Sequence, residues 1–257
     1  MRPVWYGLAA AALITTIAPA QALTEKQISE KLKNIPVFVV INTETREPIV
    51  VTLPEKEGKP AIRLVNFFLN PTEAKQFLGR IQEKDKTVGA KTEVRVSSLA
   101  LAYAAFQSQR KEKKVEIVVA PADDEVKQAR EILKRAQQDP SKFVGIPLFF
   151  PAQKKEGKIS PLTLQVPGDK GSKRDVTPMY FDYSIIAQQL EQARKKDQSI
   201  TSAYVELSTL DQMVELLSKG DESLSQSIEL VPAKDALEAA PTYKFFPEAS
   251  GKPAAKP

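Results

Sequence analysis

Apolar positions along the chain recur with two different periods. Runs rich in β-branched and aromatic residues at 36–41, 49–53, 62–69, 93–96 and 115–120 predict strands. Between them apolar residues return every three or four positions. Pro71 stands where a first helical turn tolerates it, and Ala74, Phe77, Leu78 and Ile81 follow on one face. Leu99, Ala102, Tyr103 and Phe106 repeat that spacing behind Ser97 or Ser98, either of which suits a helix cap. Asp123 and Asp124 open a third helix, with Val126, Ala129, Leu133 and Ala136 on its stripe, and both acids suit its N-terminus as caps. Residues 23–34 predict a short helical lead-in.

The same series then returns. Ile35-Pro36 opens one apolar run and Ile146-Pro147 another, Val94-x-Val96-Ser97-Ser98-Leu99 matches Val205-x-Leu207-Ser208-Thr209-Leu210, and Ile117-x-Val119-Ala120-Pro121 matches Ile228-x-Leu230-Val231-Pro232. All three matches share an offset of 111 residues, whereas Phe68 and Phe181 differ by 113, so a small loop change lies between. Three matches in one register, turn residues included, indicate an internal duplication. Two copies of about 110 residues are too few for a solenoid, so pseudo-twofold packing is the natural expectation. The fold class expected is α/β (α+β), two copies of one strand-helix unit, each sheet flanked by helices. The organisation read from the chain is a leader at 1–22, the lead-in at 23–34, a first repeat at 35–140, a second at 141–240 and a tail at 241–257. In the second repeat a polar loop from Pro167 to Asp175 is expected to precede a strand at 178–183, and Leu210, Met213, Val214 and Leu217 mark its middle helix.

The leader has the form of a secretory signal peptide. Arg2 supplies the positive start, Leu8–Ile17 an apolar stretch of ten residues, and Ala20-Gln21-Ala22 the small-x-small cleavage pattern. That stretch falls short of the roughly 20 residues that span a bilayer. Cleavage between Ala22 and Leu23 is expected, and it removes Trp5, the only tryptophan. No later segment suits permanent membrane insertion. The tail, rich in Pro, Ala and Lys, reads as mostly disordered. Embedded in it are Tyr243, Phe245 and Phe246, expected to dock on apolar surface, either as a fixed clasp or as a placeholder that a client displaces.

Composition narrows the chemistry. The 257 residues include neither cysteine nor histidine, which removes thiolate and imidazole nucleophiles, bases and metal ligands together. No disulfide framework is possible. The formal charge is +5, and loss of Arg2 with the leader leaves 36 basic against 32 acidic residues, a mild excess that does not suggest nucleic acid as a partner. The basic clusters Arg110-Lys111-Glu112-Lys113-Lys114 and Arg194-Lys195-Lys196 close predicted helices, where the dipole favours cations. Gly168-Asp169-Lys170-Gly171 lacks the features of a phosphate or calcium loop and reads as a turn. No cofactor motif is present and no catalytic residue is assigned. Carboxylate, Tyr or Lys chemistry stays open; Asp123-Asp124-Glu125 suggests a paired-carboxylate site, but its position just after Pro121 at a helix start favours capping.

The ordered set of motifs resembles a known family. IPVFVVI followed by VVTLP, the block VNFFLNPTEAKQFL, and IPLFFPA with its strand-helix-strand ending are similar to the Tic twenty-two family. This is the soluble intermembrane-space factor of the chloroplast import translocon, together with its cyanobacterial relatives. The resemblance runs from about Ile35 to Ala240, and the bacterial type of leader fits a cyanobacterial member. It implies a periplasmic, chaperone-like targeting factor, with the thylakoid lumen as the alternative compartment. Such a factor shields unfolded outer-membrane or envelope precursors and delivers them to a BamA-type insertase. It implies no catalytic residues. The competing expectations are a carboxylate-dependent envelope enzyme and a structural partner of an envelope complex.

The candidate client-binding groove follows from an excess of apolar residues. Leu99 to Phe106 is apolar on every side of its predicted helix, whereas a surface helix needs only a stripe. Either the helix is covered on both sides, or part of it lines a groove, with Leu101 and Tyr103 outward. Leu99, Leu101, Tyr103 and Phe106 are therefore candidates in the first copy, and Leu210, Met213, Val214 and Leu217 in the second.

Overall fold

A computed structural model describes residues 22–55, 61–112, 115–168, 172–220 and 222–246. The leader before Ala22 and the tail after Phe246 lie outside these residues, as do 169–171 of the predicted turn. After the lead-in helix α1 (Glu25–Leu32), the first half runs β1 (Pro36–Asn42), β2 (Val50–Leu53), β3 (Ile62–Phe68), α2 (Pro71–Lys84), α3 (Lys86–Gly89), β4 (Thr92–Ser98), α4 (Leu99–Glu112), β5 (Glu116–Ala120) and α5 (Asp123–Arg135). The second half runs β6 (Pro147–Lys155), β7 (Lys158–Pro161), β8 (Leu164–Pro167), β9 (Lys173–Tyr180), α6 (Tyr183–Lys196), β10 (Tyr204–Thr209), α7 (Leu210–Lys219), α8 (Glu222–Ser227), β11 (Ile228–Val231) and α9 (Lys234–Ala239).

Helix starts follow local chemistry. Asn70 caps α2 with Pro71 in its first turn, and Ser98 Oγ accepts the Leu101 N–H at 3.3 Å. Thr209 and Gln212 form a capping box on α7. The start of α5 departs from expectation. Its N-cap is Ala122 with no side-chain bond, so Asp123 and Asp124 do not cap it. They lie in the first turn, where their charges meet the helix dipole, and the Asp123 N–H is accepted at 2.8 Å by Glu73 Oε1 of α2.

The two halves build sheets of one topology. In the first, β4, β1, β3 and β5 lie in that order, with β1 antiparallel to both neighbours, β3 parallel to β5, and β2 antiparallel on β3. In the second, β10, β6, β9 and β11 repeat the order and senses, with β8 antiparallel on β9 and β7 on β6. The 111-residue offset extends into the register: Phe38 lies opposite Val96, and Phe149 opposite Leu207. Strand order is topology, however, and a twofold axis between the copies stays a proposal. The predicted loop between Pro167 and Asp175 is corrected in part. The strand placed at 178–183 begins at Lys173, where it pairs with β8, and ends at Tyr180. Backbone pairing recruits these polar residues into exposed hairpin arms that side-chain pattern alone does not mark.

Both central strands are buried on two faces, which explains their unbroken apolar runs. Val37, Val39 and Ile41 of β1 join Leu148, Phe150 and Ala152 of β6 in one central core, shared with α1, α4 and α7. On the outer faces the halves exchange helices. Ala129 and Ile132 of α5 pack on Phe149, Tyr180 and Ile186 of the second half, while Ala236 of α9 packs on Phe38, Val40 and Phe68 of the first. A boundary between 140 and 141 therefore divides the sequence but not the cores.

The described start of the tail, as far as Phe246, lies against the first half. Tyr243 lies in the first outer core, edge-on to Phe38 at 5.2 Å between ring centroids and beneath Lys75. The chain then joins the free side of β4 in parallel: Val96 N–H donates to the Lys244 carbonyl and Phe246 N–H to the Val96 carbonyl. Phe246 packs against the central core, whereas Phe245 is 55% exposed and does not dock as expected. Tyr243→Ala should thus lower stability by about 1.5–3 kcal/mol, while Phe245→Ala leaves it within about 0.5 kcal/mol. Urea midpoints of the two variants check this.

Candidate functional site

The groove candidates divide by burial. Leu99, Leu210, Met213 and Leu217 are all buried in the central core and line no surface in this conformation. Val214 and Tyr103 are half-buried against the same core, so Tyr103, expected outward, leans inward instead. Leu101 and Ala105 are half-buried, Ala104 is exposed, and Phe106 is 39% exposed. Helix α4 thus covers the core with Leu99, Ala100 and Ala102 and presents further apolar side chains on its other side. The two candidate helices share one core with α1, which packs against both. Helix α1 is fastened there by Lys31, whose Nζ donates to the carbonyls of Gln226 (3.1 Å) and Ile228 (2.7 Å). Burial pulls the Lys31 ammonium below the usual lysine range, and the Glu229 charge acts against that.

A second feature lies where the halves meet. A cleft of about 210 Å³ is lined by Leu69, Asn70 and Pro121 of the first half, by Ile146, Phe181 and Tyr183 of the second, and by the carboxylates Asp124, Glu125, Asp182 and Asp235. Asp124 and Asp235, both in its lining, stand at the 111-residue offset at the starts of α5 and α9. Burial pushes the Glu125 carboxyl up to about 7, the charges of Asp182, Asp124 and Asp235 add to this, and the Tyr183 N–H opposes it. Glu125 Oε2 accepts that N–H at 3.0 Å. Asp182 Oδ1 accepts from the N–H groups of Ser184 and Ile185. Two of the four carboxylates therefore serve the first turn of α6, a structural duty across the junction. Sequence reasoning missed this cleft because its carboxylates come from three separate helix starts. Among the described residues, no group of three or more acidic side chains is arranged to hold a metal. No helix among them is long and apolar enough to cross a membrane.

Comparison with known proteins gives a consistent picture. The sequence profile of the Tic22-like family matches residues 1–240. Among solved structures the chain is similar to Tic22 of Anabaena, a protein-transport protein, at 21% identity and a TM-score of 0.71, over 86% of this chain and 97% of that one. It is also similar to Tic22 from Plasmodium falciparum, at 19% identity and a TM-score of 0.62, over 82% of this chain and 94% of that one. At such identities the likeness is one of fold. In sequence, no curated protein matches the chain.

Proposed function

Because the chain belongs to the Tic22-like family, we propose that it is a protein-transport factor that binds unfolded polypeptides. In this reading the leader exports it to the periplasm, where it shields outer-membrane or envelope precursors and passes them to a BamA-type insertase. It does so without catalysis. The observation that carries the reading is the apolar surface that α4 leaves open: Leu101, Ala104 and Ala105 lie away from its buried stripe and are at least partly exposed, and Phe106, at the far end of that stripe, is 39% exposed. Apolar surface beyond what a core uses is costly unless it has an occupant, and shape-tolerant apolar surface suits clients without a fixed fold.

The test is an aggregation assay. The exported chain, added to an unfolded β-barrel precursor on dilution from denaturant, should suppress light scattering without nucleotide. Phe106→Ser and Leu101→Ser should each weaken suppression several-fold while lowering the stability read from urea unfolding by no more than about 1 kcal/mol, since both side chains are at least partly open to solvent. Folded protein that leaves aggregation unchanged removes the reading. A second reading, a carboxylate-dependent enzyme, draws on Glu125, whose carboxyl near 7 in a cleft suits acid–base chemistry. The engagement of Glu125 and Asp182 with the backbone of α6 favours the first.

A further inference from the structure

We propose that the outer edge of β10 binds an extended segment of a partner polypeptide as an added strand, in the way that the chain's own tail binds the equivalent edge of β4. This rests on the reading of the protein as a binder of unfolded chains and names how one is held.

The equivalence is residue by residue. Val96 in β4 faces Phe38 across the sheet, and Leu207 in β10 faces Phe149, each pair one 111-residue offset from the other. Bonded and unbonded pairs alternate along an antiparallel ladder. In β4 the Val96 N–H and carbonyl point away from β1, because both are taken by the tail: the N–H donates to Lys244 O at 3.1 Å, and the carbonyl accepts from Phe246 N–H at 2.6 Å. In β10 the same phase holds. Val205 and Thr209 lie opposite Pro151 and Pro147, which have no N–H to give, so Val205, Leu207 and Thr209 turn their backbone groups outward. Among the described residues no strand pairs with that edge. The Leu207 N–H is instead accepted at 3.0 Å by the side chain of its own neighbour, Glu206.

The path of the chain explains why one edge is covered and the other is open. In each half a short 3-10 turn containing a proline ends in an aromatic residue that packs on an outer core: Phe143 after 140–142, and Tyr243 after 240–242. After Tyr243 the chain continues along β4. After Phe143 it turns at Gly145, whose φ of +106° suits glycine, and enters β6 as the neighbour of β10 on the opposite side. Val144, at 83% exposure, marks the departure. Exposed edges are ordinarily guarded by charged side chains, lysine above all, by proline or by a bulge. Tyr-Val-Glu-Leu-Ser-Thr has no lysine or proline, and its guards are the Glu206 side chain on the Leu207 N–H and Gln212 on the Thr209 N–H, bonds that an added strand would replace with its own. Strand addition takes its affinity from main-chain bonds and is tolerant of sequence, as a binder of many unfolded chains requires. The tail shows the class of segment that fits, extended and with adjacent aromatic residues.

The probe is a synthetic peptide of residues 241–248, titrated into the isotope-labelled exported chain, with amide hydrogen exchange read by NMR. Saturating peptide should slow exchange of the Val205 and Leu207 amides at least tenfold. The same peptide with the amide of its Phe246 position N-methylated keeps every side chain but loses one donor, and should bind about tenfold more weakly. Three results overturn the proposal: equal binding of the methylated peptide, protection confined to Val96 or to β5, or a dimer in which Leu207 is already protected without peptide. The aggregation assay uses no peptide and reads α4, so a failure of the binding reading and a failure of the β10 edge give different results.

Discussion

Phe149→Ala should lower the stability of the protein by about 3–5 kcal/mol. The ring is fully buried on the outer face of β6, edge-on to Tyr183 of α6 at 5.4 Å between centroids. It lies in one cluster with Ala129 and Ile132 of α5 and with Ile186 of α6. Its removal leaves a cavity between elements from both halves, which sheet and helices cannot both close around. Phe149→Leu, which fills most of the volume, should cost less than half as much. Because α5 and α9 each complete the other half's core, urea unfolding should remain a single transition, with its midpoint lowered by the substitution. Two separated transitions in the wild type would show that the exchange of helices does not couple the halves.

That exchange marks the limit of what the sequence discloses. The order of elements was legible because β1 and β6 are continuously apolar and because Pro71, Ser98 and Thr209 sit where helices begin. The 111-residue offset was legible in the sequence, and it reappears as the register of Val96 on Phe38 and Leu207 on Phe149. Which sheet a helix covers was not, since an apolar stripe such as Ala129 and Ile132 specifies that a helix packs and not on what. The groove candidates failed to separate for a similar reason. Leu101 and Tyr103 were both expected outward, yet Tyr103 packs against the central core while Leu101 is half-buried outside it. Periodicity cannot tell two covered faces from one in a helix apolar all round. Open strand edges leave no trace in side-chain pattern, because they are a property of the backbone.

The cleft between the halves should make stability depend on pH, and Glu125→Gln should remove the share of that dependence that Glu125 carries. The carboxyl of Glu125 titrates at about 7 in the folded protein, against 4.5 for an ordinary glutamate, with burial as the main cause. A group whose folded value is raised binds its proton more tightly in the native state, so its contribution is fully present below pH 4.5. It is lost as pH climbs from there through 7. The neighbouring charges of Asp182, Asp124 and Asp235 act in the same direction, and only the Tyr183 N–H favours the ionised form. Glu73, raised chiefly by its own burial, titrates in the same sense at the other end of the α5 start and is left intact in the variant. Glutamine keeps an acceptor oxygen for the Tyr183 N–H but cannot ionise. At pH 5 wild type and variant should therefore melt within a few degrees of each other. At pH 8 the variant should be more stable by about 2 kcal/mol, a figure reduced for the screening of a half-buried group by water. Thermal or urea unfolding at the two pH values decides it, and a difference between the proteins that does not change with pH would assign the effect to packing instead of to charge. If the difference does grow with pH, the ionised carboxylate loosens α5 against α6, and the contact between the halves weakens on the alkaline side of neutrality.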